Sequence, residues 1–227
     1  MKPFDFVEAA RVPTYLKAQT FGLWTIAKFD VASMPLTNDE QSFVAERLQV
    51  DRWTPLSRAT EATMMFQFGE VVMDDGNVEL RKHLPIWLRA RGRVLVTGLG
   101  LGCVVRGLLA NRDVDLVDVV EIDKNIARVV GHEFAGNSRV RLHVGDALTF
   151  PAPDRPTWDF AWHDLWCEGG GLQTLHARLI IRFRRSCREQ GAWAFPREFG
   201  RRMIDKLINA PGYRRGRRQK SSSRARP

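Results

Sequence analysis

The chain has 227 residues, 44% of them hydrophobic and 27% charged, enough to bury one sizeable core in a compact unit with an extra segment. That excludes a peptide, a fibre and a wholly disordered chain. The net charge of +9 is uneven: residues 178–227 hold 16 basic against 3 acidic side chains, and residues 1–177 hold 19 against 23, so the basic excess is confined to the last fifty positions. Cys103, Cys167 and Cys187 are far apart and form no CxxC pair, which argues against a disulfide framework or a zinc site and for a reducing, cytoplasmic setting. The first residues, MKPFDFVEAARVP, carry Asp5, Glu8 and Arg11 where a secretory signal needs an apolar stretch. No window reaches the ~18 apolar residues of a membrane span.

In chain order, Ala27, Phe29 and Val31 alternate with Lys28 and Asp30, the pattern of a strand. Thr37-Asn38-Asp39-Glu40 is a capping box, predicting a helix to about Gln49. Thr63–Phe68 and Glu70–Met73 are expected to be extended, with Asp74-Asp75-Gly76-Asn77 as a tight hairpin turn of positive-φ residues. Leu80, Leu84, Trp87 and Leu88 recur at helical spacing up to Gly92, where a glycine ends the helix.

From Arg93 the pattern becomes strand, helix, strand, helix. Val94-Leu95-Val96 is a short apolar run suited to a parallel strand covered on both faces. Gly98–Gly102 turns the chain into a helix over Cys103–Ala110. Leu116–Ile122 predicts a second strand and Lys124–Val130 a short helix. Val140–Val144 and Trp158–His163 predict the third and fourth strands. Such alternation implies an α/β fold with a Rossmann-like, doubly wound parallel sheet. A helix follows around Leu172–Phe183, with Arg178, Arg182 and Arg185 on its polar face. Ala192–Phe195 is expected to be a short fifth strand and Met203–Ile208 part of a last helix, the sheet being truncated beyond that. The expected organisation is residues 1–90 as a β-rich N-terminal region, 91–210 as the Rossmann-like domain and 211–227 as a basic, disordered tail with seven basic residues and no acid after Gly212.

The chemistry gathers at strand ends. Gly98, Gly100 and Gly102 leave room for a ligand against the backbone. Their GxGxG spacing departs from the dinucleotide GxGxxG, because position 103 is Cys. Glu121 closes the second strand, where a carboxylate can accept both hydroxyls of a ribose. Asp146, followed by Ala147, closes the third and suits the amino group of an adenine. Each has a plain structural alternative: an architectural turn, a solvated strand end, a cap. Their coincidence at three successive carboxyl ends favours a nucleoside ligand. The fourth strand ends at Trp162-His163-Asp164-Leu165-Trp166. Asp164 and His163 are the candidate proton acceptors there, on opposite faces of the strand, so that one of them would face the ligand. No metal-ligand spacing is present.

These segments, V94-LVTGLGLG, V117-DVVEID and V140-RLHVGDA, resemble motifs of class I S-adenosylmethionine-dependent methyltransferases, most closely the spermidine synthase-like (aminopropyltransferase) branch. E70-VVMDDG and E79-LRKHLPIWL are similar in placement to that branch's N-terminal β region and entry helix. The resemblance covers about residues 64–165. It implies S-adenosylmethionine as cofactor, with Gly98, Gly100 and Gly102 near the methionine and ribose, Glu121 at the ribose and Asp146 at the adenine. It also places His83 where that branch often has a cofactor-contacting histidine, although His83 follows Leu80 by three positions on the apolar face, which favours a satisfied core histidine. Asp164 falls on the first acid of a D-S-x-D-P-like motif, but Leu165, Cys167 and Glu168 stand at its other positions. The amine-holding half of the motif is thus missing. The expectation is methyl transfer to an unidentified, small-molecule acceptor. The alternatives are an aminopropyltransferase and a non-catalytic nucleoside-binding or nucleic-acid-associated protein, with weak nucleic-acid contact through the tail.

Overall fold

A computed structural model describes residues 3–30, 37, 52–58, 70–166 and 171–193. In chain order the elements are α1 (Pro3–Ala10), β1 (Gln19–Phe21), β2 (Trp24–Ile26), β3 (Phe29–Asp30), β4 (Arg52–Trp53), β5 (Pro55–Arg58), β6 (Glu70–Asp74), α2 (Asn77–Arg81), α3 (Leu84–Arg89), β7 (Gly92–Thr97), α4 (Cys103–Ala110), β8 (Val114–Glu121), α5 (Lys124–Val129), a 3-10 turn (Gly131–Phe134), β9 (Val140–Val144), β10 (Trp158–His163), α6 (Leu172–Phe183) and β11 (Cys187–Ala192).

The main sheet has the order β11-β10-β7-β8-β9, and every pairing in it is parallel. This is the expected α/β fold with a Rossmann-like parallel sheet. β7 and β10 are central, so Val94, Leu95 and Val96 are all buried. Each contributes about 1.5–3 kcal/mol relative to exposure, as a strand covered on both faces requires. One face packs with α1, α3, α4 and α5 in a core that includes Trp87, Val105, Leu108, Ile126 and Trp162. On the other face Leu179 and Phe183 of α6 cover Leu95, Trp158 and Ala161.

A second, antiparallel sheet has the order β1-β2-β5-β6. Its buried Phe21, Trp24, Ile26 and Leu56 belong to the same core cluster as Val94, Val96 and Trp162. The two sheets therefore share one interior. α1 docks on α4 through Arg106, whose guanidinium reaches Ala10 O at 3.2 Å and Leu101 O at 2.7 Å and pairs with Glu133 at 2.8 Å.

Three local expectations are corrected. Asp74–Asn77 is no hairpin turn: Gly76 has φ −66° and heads α2, and the antiparallel partner of β6 is β5. The helix expected up to Gly92 is broken in two at Lys82–His83, because Pro85 stands in the first turn of α3 and has no N–H to continue the ladder. Leu88 is left exposed. The fifth strand is Cys187–Ala192, starting five residues before the expected Ala192–Phe195: Cys187, Glu189, Gln190, Gly191 and Ala192 pair with residues of Trp158–His163, and the polar Arg188-Glu189-Gln190 centre gives no apolar run. The capping-box helix, the Thr63–Phe68 strand, the Met203–Ile208 helix and the basic tail lie outside the described residues.

Candidate nucleoside and transfer site

The chain runs β7, β8, β9 outward and returns to place β10 on the other side of β7. The carboxyl ends at that reversal are where open α/β sheets hold ligands. A cavity of about 320 Å³ lies there. It is lined by Gly98 and Gly100 after β7, Glu121–Asp123 after β8, Asp164–Trp166 after β10 and Trp193 after β11. Trp24, Leu56, Arg58, Val72 and Met73 of the smaller sheet complete the wall, with Glu79 of α2. Backbone bonds extend the ladders past the strand ends and fix this rim: Gly98 N to Val120 O at 2.8 Å, Asp164 N to Thr97 O at 2.8 Å and Trp193 N to His163 O at 2.9 Å.

The glycine turn is built for close approach. Gly98 (φ 92°) and Gly100 (φ 51°) hold left-handed conformations that side chains disfavour. A Cβ at Gly98 would collide with the Asp164 carbonyl oxygen, and one at Gly100 with Met73 Sδ. Met73 Sδ in turn accepts the Leu101 N–H at 3.0 Å. Gly102 does not line the cavity; a Cβ there would meet the Phe134 ring at 3.0 Å, so its absent side chain serves packing.

Glu121 lines the cavity and is buried. Its carboxylate accepts Leu99 N–H at 2.8 Å and Asp123 N–H at 2.7 Å. Burial raises its pKa, and those backbone donors pull against the rise. Gly100 N–H is a further backbone donor to this carboxylate, so of its about four lone-pair sites one stays free to accept from a hydroxyl. Asp123 caps α5 through Asn125 N at 2.7 Å and takes Trp24 Nε1 at 2.7 Å. Beside them Ile122 offers a largely exposed apolar face to the cavity. Asp146 and Ala147 stand one strand further along and are not among the lining residues. Asp146 accepts Leu148 N–H at 2.8 Å, and Ala147 is buried in the core under α6.

Asp164 and His163 do point to opposite faces. Asp164 lines the cavity with a fifth of its side chain exposed. Burial, reinforced by the charge of Glu79 and opposed by Lys82, pushes its pKa up to about 7. His163 is corrected as a candidate acid or base. It is fully buried, stacked on Phe183 at 5.7 Å and engaged at both nitrogens, by Thr97 Oγ1 at 3.0 Å and Gln190 Oε1 at 3.1 Å. Burial lowers its pKa to about 4, so it is a neutral spacer between β10 and α6. His83 is buried between Trp87 and Trp162, and its Nε2 lies 3.8 Å from Asp164 Oδ2.

Sequence reasoning missed the far wall. Glu79 pairs with Lys82 Nζ at 2.6 Å and accepts Trp193 Nε1 at 2.6 Å, while Lys82 sits over the Trp193 ring at 4.4 Å. The Arg58 guanidinium lies 5.7 Å from the Trp24 ring and 5.3 Å from the Trp166 ring. Short strands without a repeating pattern carry Trp24, Arg58 and Met73, so only the acid in E79-LRKHLPIWL offered a signal. Among the described residues no group of three His, Cys, Asp or Glu is gathered to hold a metal, and no helix is long and apolar enough to cross a membrane.

No family model matches the chain. It is 37% identical over 84 residues to a ribosomal RNA small subunit methyltransferase A of Pseudomonas fluorescens, covering 37% of this chain and 30% of that protein. It is also 32% identical to spermidine synthase 1 of Hyoscyamus niger, over 38% of this chain and 34% of that one. A solved methyltransferase from Geobacter sulfurreducens aligns with TM-score 0.40 at 22% identity, over 56% of this chain and 67% of the other. The chain thus spans about a third of the length of the curated relatives it matches, and its similarity is to class I S-adenosylmethionine-dependent transferases.

Proposed function

We propose that the chain is an S-adenosylmethionine-dependent methyltransferase. The observation that carries the reading is the joint placement, around one cavity, of the side-chain-free turn at Gly98 and Gly100 with the buried acceptor Glu121. These residues fit the group. Gly98 and Gly100 line the cavity without side chains beside its methionine and ribose portions, Glu121 accepts a ribose hydroxyl and Ile122 covers an apolar ring face. Asp146, just outside the lining, is assigned to the adenine amino group. The bound cofactor supplies an electrophilic methyl carbon on a sulfonium. The protein's own work is then alignment of the acceptor, which accounts for ~7–11 kcal/mol in well-oriented reactions, and removal of a proton where the acceptor must lose one. Asp164 is assigned that proton, because it lines the cavity and its pKa of about 7 suits a base acting near neutral pH.

The acceptor we favour is RNA rather than the small molecule expected from sequence. Supporting it are the rRNA methyltransferases among the relatives and the basic excess after residue 178, which suits a phosphate polymer. Arg182 and Arg185 are engaged within the fold, Arg182 bonding Phe150 O and Arg185 pairing with Asp154 at 2.8 Å, so the reading rests on the basic residues beyond them. The second reading is aminopropyl transfer to an amine, favoured by the facing acids Glu79 and Asp164 and by the spermidine synthase relatives.

Calorimetry with S-adenosylmethionine and S-adenosylhomocysteine tests the cofactor, and no binding of either refutes the reading. Transfer of labelled methyl groups to ribosomal RNA, set against putrescine with the decarboxylated cofactor, tests the acceptor. Removing residues 213–227 should weaken RNA binding uniformly and flatten its salt dependence.

A further inference from the structure

His83 is fully buried between two indoles, its ring centroid 5.6 Å from that of Trp87 and 5.9 Å from that of Trp162. Neither of its nitrogens has a hydrogen-bond partner. That sets it apart from His163, engaged at both nitrogens, and from His176, whose Nε2 accepts Leu165 N–H at 3.2 Å. A phenylalanine would fill the same slot without stranding two polar atoms, and a buried polar group left alone needs a reason. The geometry supplies one. His83 Nε2 and Asp164 Oδ2 are 3.8 Å apart, too far for a hydrogen bond and too close for a water between them. A movement of about 1 Å makes the bond directly. The Asp164 backbone is pinned, its N–H on Thr97 O and the following N–H on His176, so side-chain rotation is the freedom that closes the gap.

We propose that His83 is the positioning residue of Asp164: its Nε2–H donates to Oδ2, fixing the carboxylate so that Oδ1 presents its lone pair to the acceptor in the cavity. The proton leaving the acceptor ends on Oδ1, and the Nε2 proton stays on His83. Burial drives the His83 pKa down to about 3, so the ring is neutral and carries one proton throughout. The charged groups facing the pair are Glu79, which opposes ionisation of Asp164, and Lys82, which favours it. Cys103, also buried close enough to feel Asp164, stays a thiol. A donor on Oδ2 favours the ionised carboxylate, balancing part of what burial and Glu79 do. The role assigned to His83 rests on the reading of the cavity as a transfer site.

The test is a carboxyl titration of the full chain labelled with 13C at the aspartate carboxyl carbon, in the absence of ligand. The resonance missing from Asp164→Asn is that of Asp164. In His83→Phe its midpoint should rise by about one pH unit through loss of the donor, and His83→Gln, whose amide still donates, should restore part of it. An unmoved midpoint in His83→Phe makes His83 a packing residue and overturns the proposal. Should that variant not fold, the 15N imidazole spectrum of the unaltered protein decides. Nε2 must carry the proton, and its shift must follow the Asp164 midpoint; a bare Nε2, or a shift blind to that midpoint, overturns the proposal equally. Calorimetry with S-adenosylhomocysteine is run on the same samples. Failure to bind it sinks the cofactor reading, whereas the carboxyl titration bears on the pairing alone.

Discussion

Replacing Asp164 by Asn should stabilise the protein, and by an amount that depends on pH in a defined window. In the fold the Asp164 carboxyl titrates at about 7, raised from an ordinary value of 3.8 by burial first and by Glu79 second. An acid whose folded pKa is raised binds its proton more tightly in the folded than in the unfolded chain. Its contribution to stability is complete below the unfolded value and is lost as pH rises through the folded one. The window therefore runs from about pH 4 to about pH 7. The gap is about three units at ~1.4 kcal/mol each, an upper bound near 4 kcal/mol. The amide of the variant is uncharged at every pH, so it escapes this loss. Urea unfolding of both proteins from pH 4 to pH 8.5 should give curves that coincide at the acid end apart from a constant offset. They should then separate by up to ~4 kcal/mol, with Asp164→Asn the more stable, and run parallel above pH 7. A difference that stays constant across the range would show that Asp164 is solvated like a surface carboxylate, removing the physical basis for its role as a base. The expected loss of transfer by the same variant, ~10²–10⁴-fold, would make stability and activity move in opposite directions at one residue, as at sites that hold a charge against its preference.

Glu121→Gln turns one acceptor of the ribose site into a donor, so S-adenosylhomocysteine affinity measured by calorimetry should fall tenfold or more, ~1.4 kcal/mol or above; unchanged affinity would place the nucleoside elsewhere. Gly107→Ala would drive a Cβ into the indole of the fully buried Trp87, which donates Nε1 to Val104 O at 3.1 Å. That overpacking should cost about 1–3 kcal/mol, read as a lowered urea midpoint with an unchanged slope. Arg93→Met strips the 2.7 Å pair from Asp118, which is buried in β8 and also takes Trp158 Nε1 at 2.8 Å. Because Arg93 is over a third exposed, the expected loss at pH 7 is about 2 kcal/mol, less than for a wholly buried pair. Although burial works to raise the Asp118 pKa, its donors carry it below the ordinary value. Its stabilisation is therefore present above about pH 4 and lost as pH falls through the folded value. In the variant that acid loss should begin at higher pH.

The alternating half of the chain was legible because its strands are covered on both faces. Val94–Val96, Trp158–His163 and the helix Cys103–Ala110 announce themselves as apolar runs or apolar faces, and the glycines and acids between them fall at strand ends by necessity. β11 was misplaced because it is paired on one side among the described residues, and its Arg188-Glu189-Gln190 centre carries no apolar signal. Asp74–Asn77 misled for another reason: the side chains that favour a tight turn also favour a helix start, and the apolar spacing of the next residues decides between them. By residue type a neutral imidazole at His163 is the better suited of the two to accept a proton near pH 7, yet it is the one the fold buries. Strand alternation separated them, and the packing of α6 against the sheet decided which one was sealed.

The far wall of the cavity was illegible since nothing local marks it. Trp193 meets Glu79 across 114 positions, and Trp24 meets Asp123 across 99. Yet those contacts explain why the small sheet sits where it does. Trp24 donates to Asp123 Oδ2, Asp123 N–H is held by Glu121 Oε1, and Glu121 Oε2 holds Leu99 N–H in the glycine turn. Met73 of the same small sheet closes the circuit by accepting Leu101 N–H. The antiparallel sheet is thus hydrogen-bonded at two points, to Leu101 in the glycine turn and to Asp123 beside Glu121, at the candidate nucleoside site, and Arg58 spans its Trp24 and the Trp166 that comes after β10. A ligand that places two hydroxyls on Glu121 would compete with a backbone donor of this circuit, so its binding would act on the small sheet as well as on the Rossmann-like half. That coupling gives the N-terminal strands a function in the site beyond covering it.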